Sequence, residues 1–546
     1  MTTRPAVALR WPAAALPAWA IVPFDVGGLS LLTALFGLVW DVAYHVDHGR
    51  DVTLLNPPHL VILVGLAGLG SSAALAVLLA TLGRAPGGVR IGPLRVPYAA
   101  LPLGTMAAGA LAGFPLDDLW HRTYGIDVTL WSPTHLTMIG GAALATFALP
   151  LLVAEGARGG AGVGGSATPG RLRRTLVLGG LLLALSVFQL EYDFGVPQWQ
   201  AAYQPLLIAI AAGVGLVAAR ASLGPGAALW AALWFLLARL LLTLVVGPGL
   251  GHTPPRFPLY LGSAAVVELA FLLLLGRRGS TAAALLAGVL VGTAGLATEW
   301  GWSHLWGVLP WSASLLPRLW APALAAVLAS LVGVALGRVL AGQRAGLPAW
   351  AVVGSVLGLA LLLAVPLPRD AGAVTGRVTA TPAGDVHLTT DRLGLPAAEQ
   401  DVRVEVTLTP AGAAAGADWF EVLAWQGGGR RAVPLLEEAP GRYRTAEPVP
   451  TGGSWKAMVY LARGAELVAL PVAFPADPEY GSGGIPLVPV REAPFVPSQR
   501  LLTTEAHDGP PGVASAAYAA LVGLWALWLG LLLYAARMIA RRAAGA

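Results

Sequence analysis

The sequence predicts an all-α polytopic membrane protein of about 12 transmembrane helices, with an extracytoplasmic β-sandwich domain inserted before the last helix. Composition is the first reason. Hydrophobic residues make up 56% of the 546 residues and charged residues only 12%, whereas a soluble domain carries roughly 25% charged residues. The second reason is a change near position 369, where the long apolar runs stop and charged residues return. One soluble globular domain of this length is therefore excluded.

The helices are predicted from apolar runs, because a spanning helix needs about 20 mostly apolar residues. The predicted spans are 25–46, 58–83, 98–121, 134–155, 173–192, 203–221, 226–247, 257–276, 281–303, 318–341, 348–367 and 513–536. Arginines cluster in every second connecting segment, and such clusters are typical of cytoplasmic segments. We therefore expect a multi-pass protein of a bacterial or archaeal plasma membrane, with both termini cytoplasmic and the β domain extracytoplasmic.

Composition also predicts the domain boundaries. The four parts are a membrane domain of about 11 helices (1–368), an extracytoplasmic β-sandwich (369–475), a Pro-rich linker (476–511) and a C-terminal transmembrane helix with a basic tail (512–546). The second part holds six or seven short stretches of alternating polarity separated by Gly and Pro, a pattern typical of antiparallel strands. The chain contains no Cys, which excludes disulfides, thiolate metal sites and cysteine nucleophiles.

The most informative feature is an internal repeat, a duplicated hairpin at 38–62 and 114–138. Nine or more identities fall in register at an offset of 76 residues, without a gap. Each copy carries the pattern Asp-x3-His-x13-His, which starts at the end of one predicted span and finishes at the start of the next. The residues are Asp41, His45 and His59 in the first copy and Asp117, His121 and His135 in the second.

The spacing of these residues predicts a metal site in each copy. An Asp and a His four positions apart share one face of a helix, here in its last turn. The second His then opens the antiparallel partner helix, so two imidazoles and a carboxylate converge at the mouth of the hairpin. That ligand set suits copper, zinc or non-haem iron. In the alternative interpretation the polar residues are structural and were copied with the hairpin.

An Asp-x3-His pair followed by a second His on the adjacent span, recurring along the chain, resembles the C subunit of the copper membrane monooxygenases. These are the particulate methane and ammonia monooxygenases, and the resemblance covers about residues 30–140. In that family one triad begins with Asp and a second with Asn, and both are proposed copper sites within the membrane. Here both begin with Asp. The resemblance implies copper at Asp41, His45 and His59, and at Asp117, His121 and His135.

Two further sets of polar residues lie in or near the predicted spans. Glu299 and His304 form a candidate secondary polar cluster, although their i, i+5 spacing suits convergence on one face less well. Arg239 and Glu268 lie well inside the seventh and eighth spans, where charges are costly and usually paired. We expect an ion pair between them that locks neighbouring helices, with a proton relay as the alternative.

The residues favour a membrane metalloprotein with copper as its cofactor, and zinc and non-haem iron stay as alternative metals. The favoured activity is that of an O2-activating monooxygenase of apolar substrates. The alternatives are a non-enzymatic copper storage or delivery protein for an oxidase and a zinc-dependent membrane hydrolase. No residue is assigned to catalysis itself. Expected partners are the lipid bilayer, an electron donor or partner membrane subunits, and a second copy of the chain. No basic run with interleaved aromatic residues indicates nucleic-acid binding.

Overall fold

The structure is a computed structural model. It describes residues 16–49, 55–125, 130–159, 179–341, 343–364, 373–391, 395–477, 482–504 and 506–545. In chain order the helices are α1 (Ala18–His48), α2 (Pro57–Leu82), α3 (Ala100–Tyr124), α4 (Pro133–Gly159), α5 (179–194), α6 (Tyr203–Leu223), α7 (Ala227–Gly249), α8 (261–278), α9 (280–305), α10 (Trp320–Leu340), α11 (Ala349–Ala364), α12 (Ser498–Leu502) and α13 (Val513–Gly545). A single 3₁₀ turn at Ala313–Arg318 precedes α10.

Eight helical stretches of the described ranges are long and apolar enough to cross a membrane. They are Ala18–His48, Pro57–Leu82, Pro133–Ala157, Tyr203–Leu223, Ala227–Gly249, Leu261–Leu305, Trp320–Leu340 and Val513–Arg541. The stretch Leu261–Leu305 is broken at Gly279, whose φ of 83° and ψ of 173° are not helical, so it consists of α8 and α9. The predicted span 173–192 lies partly outside the described residues. The chain is thus mostly helical and compatible with a multi-pass membrane protein, and the number twelve stays a prediction.

The first four helices position the two candidate sites. α1 packs on α2 and α4, and α3 packs on the same two helices, so the two hairpins close into a four-helix group. The crossings within the hairpins are close: a Cβ at Gly37 would lie 2.7 Å from the backbone nitrogen of Ile62, and one at Gly113 would lie 2.3 Å from Cγ of Met138. Small residues at such crossings let helices approach closely. Gly37 and Ile62 of the first hairpin correspond to Gly113 and Met138 of the second, 76 residues later in the chain.

The helix ends that flank the candidate sites correspond at the same offset. α1 ends at His48 and α3 at Tyr124. Each is followed by a glycine in the left-handed region, Gly49 with φ of 75° and Gly125 with φ of 74°, where a side chain would strain the backbone. α2 and α4 both begin with a proline, a residue whose fixed φ suits the first turn of a helix.

The strands follow the helices, apart from a small hairpin between α2 and α3. The strands are β1 (Val89–Ile91), β2 (Leu94–Val96), β3 (Thr375–Pro382), β4 (His387–Thr390), β5 (Pro396–Thr409), β6 (Trp419–Trp425), β7 (Arg430–Ala439), β8 (Arg442–Thr445), β9 (Val449–Gly452), β10 (Lys456–Arg463), β11 (Glu466–Ala473), β12 (Val490–Pro494) and β13 (Val496–Pro497). Among the described residues, eleven of them form one sheet in the order β12-β3-β5-β8-β7-β6-β10-β11-β13, with β4 and β9 paired to β5.

This sheet is barrel-like, where the sequence predicted a sandwich of two separate sheets. The reason is β7, whose residues 430–434 pair with β6 and whose residues 435–439 pair with β8. One continuous strand therefore belongs to both layers, and the antiparallel sheet curls around a shared core. That core contains Val404, Val459 and Leu470, none of which is exposed.

The β domain rests on the helix ends that carry the first candidate site. The backbone N–H of Gln426 donates to the carbonyl of Val46 at 3.0 Å, and that of Gly428 donates to Asp47 at 2.8 Å. Elsewhere along the interface the hydroxyl of Tyr460 donates to Pro197 at 2.8 Å. The carbonyls at the end of α1, which a helix leaves unpaired, are thus satisfied by the β domain.

Candidate metal centres

The first triad brings Asp41, His45 and His59 together, as the spacing predicts. Asp41 Oδ1 lies 3.3 Å from Nε2 of His45 and 3.0 Å from Nε2 of His59. One ligand atom from each of the three side chains lies within 4.8 Å of the others. Since metal–nitrogen bonds are near 2 Å, a single ion can contact all three groups after small adjustments.

The surroundings of this triad fix the orientation of its imidazoles. His45 Nδ1 lies 2.9 Å from the carbonyl oxygen of Gly49, and because a carbonyl only accepts, Nδ1 carries the proton. The side chain of Asn56 accepts from the backbone N–H of His59 at 2.7 Å, which caps α2 and places that imidazole at its start. An outer hydrogen bond of this kind sets the tautomer of a metal-ligating His.

As a result, two hydrogen-bond acceptors, one on His45 and one on Asp41, face each other. With the proton on Nδ1, His45 Nε2 presents a lone pair to the carboxylate of Asp41. Both His45 Nε2 and Asp41 Oδ1 are buried and lack a well-aligned hydrogen bond among the described residues, and the other close neighbour of Asp41 Oδ1 is Nε2 of His59 at 3.0 Å. Buried acceptors that face each other are unfavourable unless a proton or a metal ion lies between them. This is the observation of the structure that fits a metal ion best.

The second triad has the same plan and one additional support. Asp117 Oδ2 lies 3.7 Å from Nε2 of His121 and 3.4 Å from Nε2 of His135, and these three also form a group within 4.8 Å. Thr134 Oγ1 donates to the other carboxylate oxygen of Asp117 at 2.6 Å. Ser132 caps α4 by accepting from the backbone N–H of His135 at 3.2 Å. The chain therefore holds two groups of His and Asp residues able to bind a metal.

Both triads line one cavity of about 740 Å³. Its wall is mostly aliphatic and aromatic and includes Phe114 of α3, whose ring centroid lies 5.9 Å from that of His59. The lining residues Leu29 of α1 and Leu241 of α7 are 69% and 59% exposed. Both helices therefore contribute apolar side chains to the cavity wall. Trp425 of the β domain also lines the cavity.

Two polar groups of the cavity wall were not predicted as site residues. Glu191 and Gln198 line the cavity, and the Glu191 carboxylate accepts hydrogen bonds from the indole N–H of Trp131 and from the backbone N–H of Gln198. The sequence carries a weak signal for this role, because Glu191 ends a predicted span as the triads do. Only the folded chain brings that span beside the two hairpins.

The predicted cluster of Glu299 and His304 is not formed. Both oxygens of the Glu299 carboxylate accept backbone N–H groups, from Leu259 at 2.9 Å and from Tyr260 at 2.6 Å. Glu299 thus stabilises the start of α8, whose first N–H groups have no partner within the helix. The imidazole of His304 is exposed and lies 2.9 Å from the carbonyl of Trp300. The i, i+5 spacing turns the two side chains to different faces of α9.

The predicted ion pair of Arg239 and Glu268 is replaced by two other pairs. Arg239 contacts Asp193 of α5 at 2.5 Å, with both side chains only 2% exposed. Glu268 contacts Arg220 of α6 at 2.7 Å and accepts from the backbone N–H of Ala228 at 2.9 Å. Ala228 precedes Arg239 by eleven residues of α7, which is roughly 16 Å along a helix.

The chain between α7 and α8 explains this difference. Residues 253–260 form neither helix nor strand and return along α7: the hydroxyl of Thr243 donates to the carbonyl of Pro255 at 2.9 Å, and Arg256 N–H donates to the carbonyl of Asp193 at 2.8 Å. α8 therefore begins deeper than the predicted span, and Glu268 lies beyond the reach of Arg239.

Comparison with protein-family models, with curated proteins and with solved structures found no match. The resemblance of the triads to the copper membrane monooxygenases therefore stays a prediction from the residue pattern. The two metal-binding groups themselves are defined by geometry, through the positions of their three ligand atoms.

Proposed function

We propose that the chain is a membrane metalloprotein that holds one copper ion in each triad and oxidises an apolar substrate with O2 in the shared cavity. The observation that carries this proposal is the placement of both His/Asp groups on the wall of one largely apolar cavity. A pocket with an apolar lining and a few convergent polar groups is typical of a binding or active site.

The donor set supports copper. Two imidazoles and one carboxylate suit Cu, Zn or non-haem Fe, and Cu2+ binds such ligands most tightly of the divalent first-row ions. The apolar wall argues against a hydrolase, since the substrates of hydrolases carry polar groups that need hydrogen-bond partners. The residue pattern shared with the copper membrane monooxygenases points the same way.

The residues of the chain would have separate tasks in this reaction. The six triad residues hold the ions, and bound copper supplies O2 binding and one-electron redox chemistry. Phe114 and the aliphatic wall exclude water and hold the substrate, which arrives laterally between α1 and α7. Glu191 and Gln198 give the more polar product hydrogen-bond partners. In the balanced reaction, the substrate RH, O2, two electrons and two protons yield the alcohol ROH and water. The electrons come from an external donor or a partner membrane subunit.

We further propose that both hairpins descend from one duplicated unit and that the triads and the β domain lie on the extracytoplasmic side of a bacterial or archaeal plasma membrane. The arginine distribution supports this orientation. Contacts of Gln426 and Gly428 with the end of α1 are consistent with a β domain on the same side as the triads.

Metal analysis of the detergent-purified chain tests the proposal. After dialysis against a weak chelator, which removes weakly held ions, we expect two copper ions per wild-type chain and none in the His45→Ala/His121→Ala double variant. His387→Ala is the matched control, because His387 is an exposed residue of β4, and it should keep two ions. Unchanged stoichiometric metal in the double variant would refute both sites. Copper binding without substrate-dependent O2 consumption, measured with a chemical reductant, would instead favour storage or delivery of copper.

A further inference from the structure

A further pair of imidazoles lies at the same end of the helices as the triads. His48 occupies the last turn of α1, and His252 lies in the segment after α7. Their ring centroids are 5.3 Å apart. The imidazole pair of each triad is separated by a similar 5.9 Å. The two rings are therefore close enough to share one ion.

Asp47 orients the imidazole of His252 by a hydrogen bond. Its Oδ2 accepts from Nδ1 of His252 at 3.2 Å and from the backbone N–H of Thr253 at 2.7 Å. Its other oxygen accepts from the Thr253 hydroxyl. Because the bond to Asp47 uses the Nδ1 proton, Nε2 of His252 carries a lone pair. A buried carboxylate behind an imidazole is the usual outer support of a metal-ligating His.

This pair connects solvent with the first triad. His48 is exposed, and it follows the ligand His45 by three residues, about one turn of the helix. The ring of Tyr44 lies between the groups, with its centroid 5.7 Å from that of His45, 5.1 Å from that of His48 and 5.9 Å from that of His252. An ion held by His48 and His252 would thus be about one helical turn from the first triad.

We infer that His48 and His252 form a third metal site, which takes a divalent copper ion from solution, with Asp47 as its positioning residue. Two imidazoles bind more weakly than a complete triad, so this site exchanges its ion faster. We also infer that it supplies the ion to Asp41, His45 and His59. This supply role rests on the proposed function, whereas ion binding by the pair does not.

The test titrates Cu2+ alone into the metal-free full-length chain in detergent. Bound ions are counted by electron paramagnetic resonance, and loading is followed after rapid mixing. We expect three ions in wild type, two in His48→Gln/His252→Gln, and at least a fivefold slower loading of the triads in that variant. His387→Gln, in an exposed strand, should behave as wild type. Asp47→Asn should keep the triad spectra and alter the signal and affinity of the third ion alone.

The outcomes separate this inference from the proposed function. Equal ion numbers and equal loading rates in wild type and His48→Gln/His252→Gln would overturn it, whatever the triads bind. One ion in wild type that is lost in this variant, with the triads empty, would support the third site and remove the proposed function. Three ions in wild type and two in the variant, with unchanged loading of the triads, would retain the site and overturn the supply role.

Discussion

Replacing Thr134 with Val tests whether the second triad is built to hold a metal. The Thr134 hydroxyl donates a 2.6 Å bond to Oδ1 of Asp117, and both side chains are buried. Loss of such an outer hydrogen bond weakens metal binding by about 10–100-fold, which corresponds to about 1.4–2.8 kcal/mol. The first triad has Pro58 at the corresponding position, and proline has no hydroxyl. We therefore expect weaker Cu2+ binding at the second site only, measured by competition with a chelator that resolves two binding constants.

A matched control stands three residues away. Thr137 is also a buried threonine of α4, but its hydroxyl donates to the carbonyl of Pro133 at 2.7 Å and touches no ligand. Thr137→Val should therefore leave both binding constants unchanged. The reasoning is refuted if Thr134→Val and Thr137→Val have the same effect, or if Thr134→Val weakens both sites equally.

Three further predictions concern stability. Asp193→Asn should cost roughly 3–5 kcal/mol in denaturant unfolding, because it leaves the buried guanidinium of Arg239 without its partner; Asp193→Leu/Arg239→Met should recover most of this loss. Glu299→Ala should cost about 1–3 kcal/mol for each of the two buried N–H groups left unpaired, as read from the same unfolding curves, and Glu299→Gln less. Burial raises the pKa of the Glu421 carboxyl, an effect that Arg430 partly opposes. The folded state therefore binds this proton more tightly, and the unfolding temperature should fall as pH rises above the ordinary value near 4.5; Glu421→Gln should remove this part of the fall.

Each of these predictions has a contrary result. If the Asp193 variants and the double variant are equally unstable, packing and not charge pairing stabilises that site. Equal losses in Glu299→Ala and Glu299→Gln would show that the two accepted hydrogen bonds contribute little. For the pH dependence, Glu438→Gln removes an exposed carboxylate of the same domain. An identical pH profile in wild type, Glu421→Gln and Glu438→Gln would contradict the role of Glu421.

The triads could be predicted because their geometry is local. Asp41 and His45 share a helix face by the 3.6-residue period alone. Because the connection from the end of α1 to the start of α2 is short, His59 must lie close to both. The same reasoning covers Asp117, His121 and His135. The apolar runs likewise predict helices, since backbone groups in a membrane must be satisfied within the element itself.

Partners from distant parts of the chain could not be predicted in this way. Whether Arg239 meets Glu268 or Asp193 depends on the depth at which α8 begins. That depth is set by residues 253–260, which form neither helix nor strand and carry no periodic pattern in the sequence. The β sheet shows the same limit: alternating polarity predicts its strands, but only the pairing of β7 on both sides decides that the sheet curls.

The sequence by itself therefore determined a helical membrane chain, a β region before the last helix, and two groups of two imidazoles and one carboxylate. Tertiary structure alone decided that both groups face one apolar cavity, that Glu191 and Trp425 join its wall, and that His252 reaches His48 across about two hundred residues. The physical reason is that helix period and short connections act between neighbours along the chain. Cavities and ion pairs instead depend on how complete helices pack against one another.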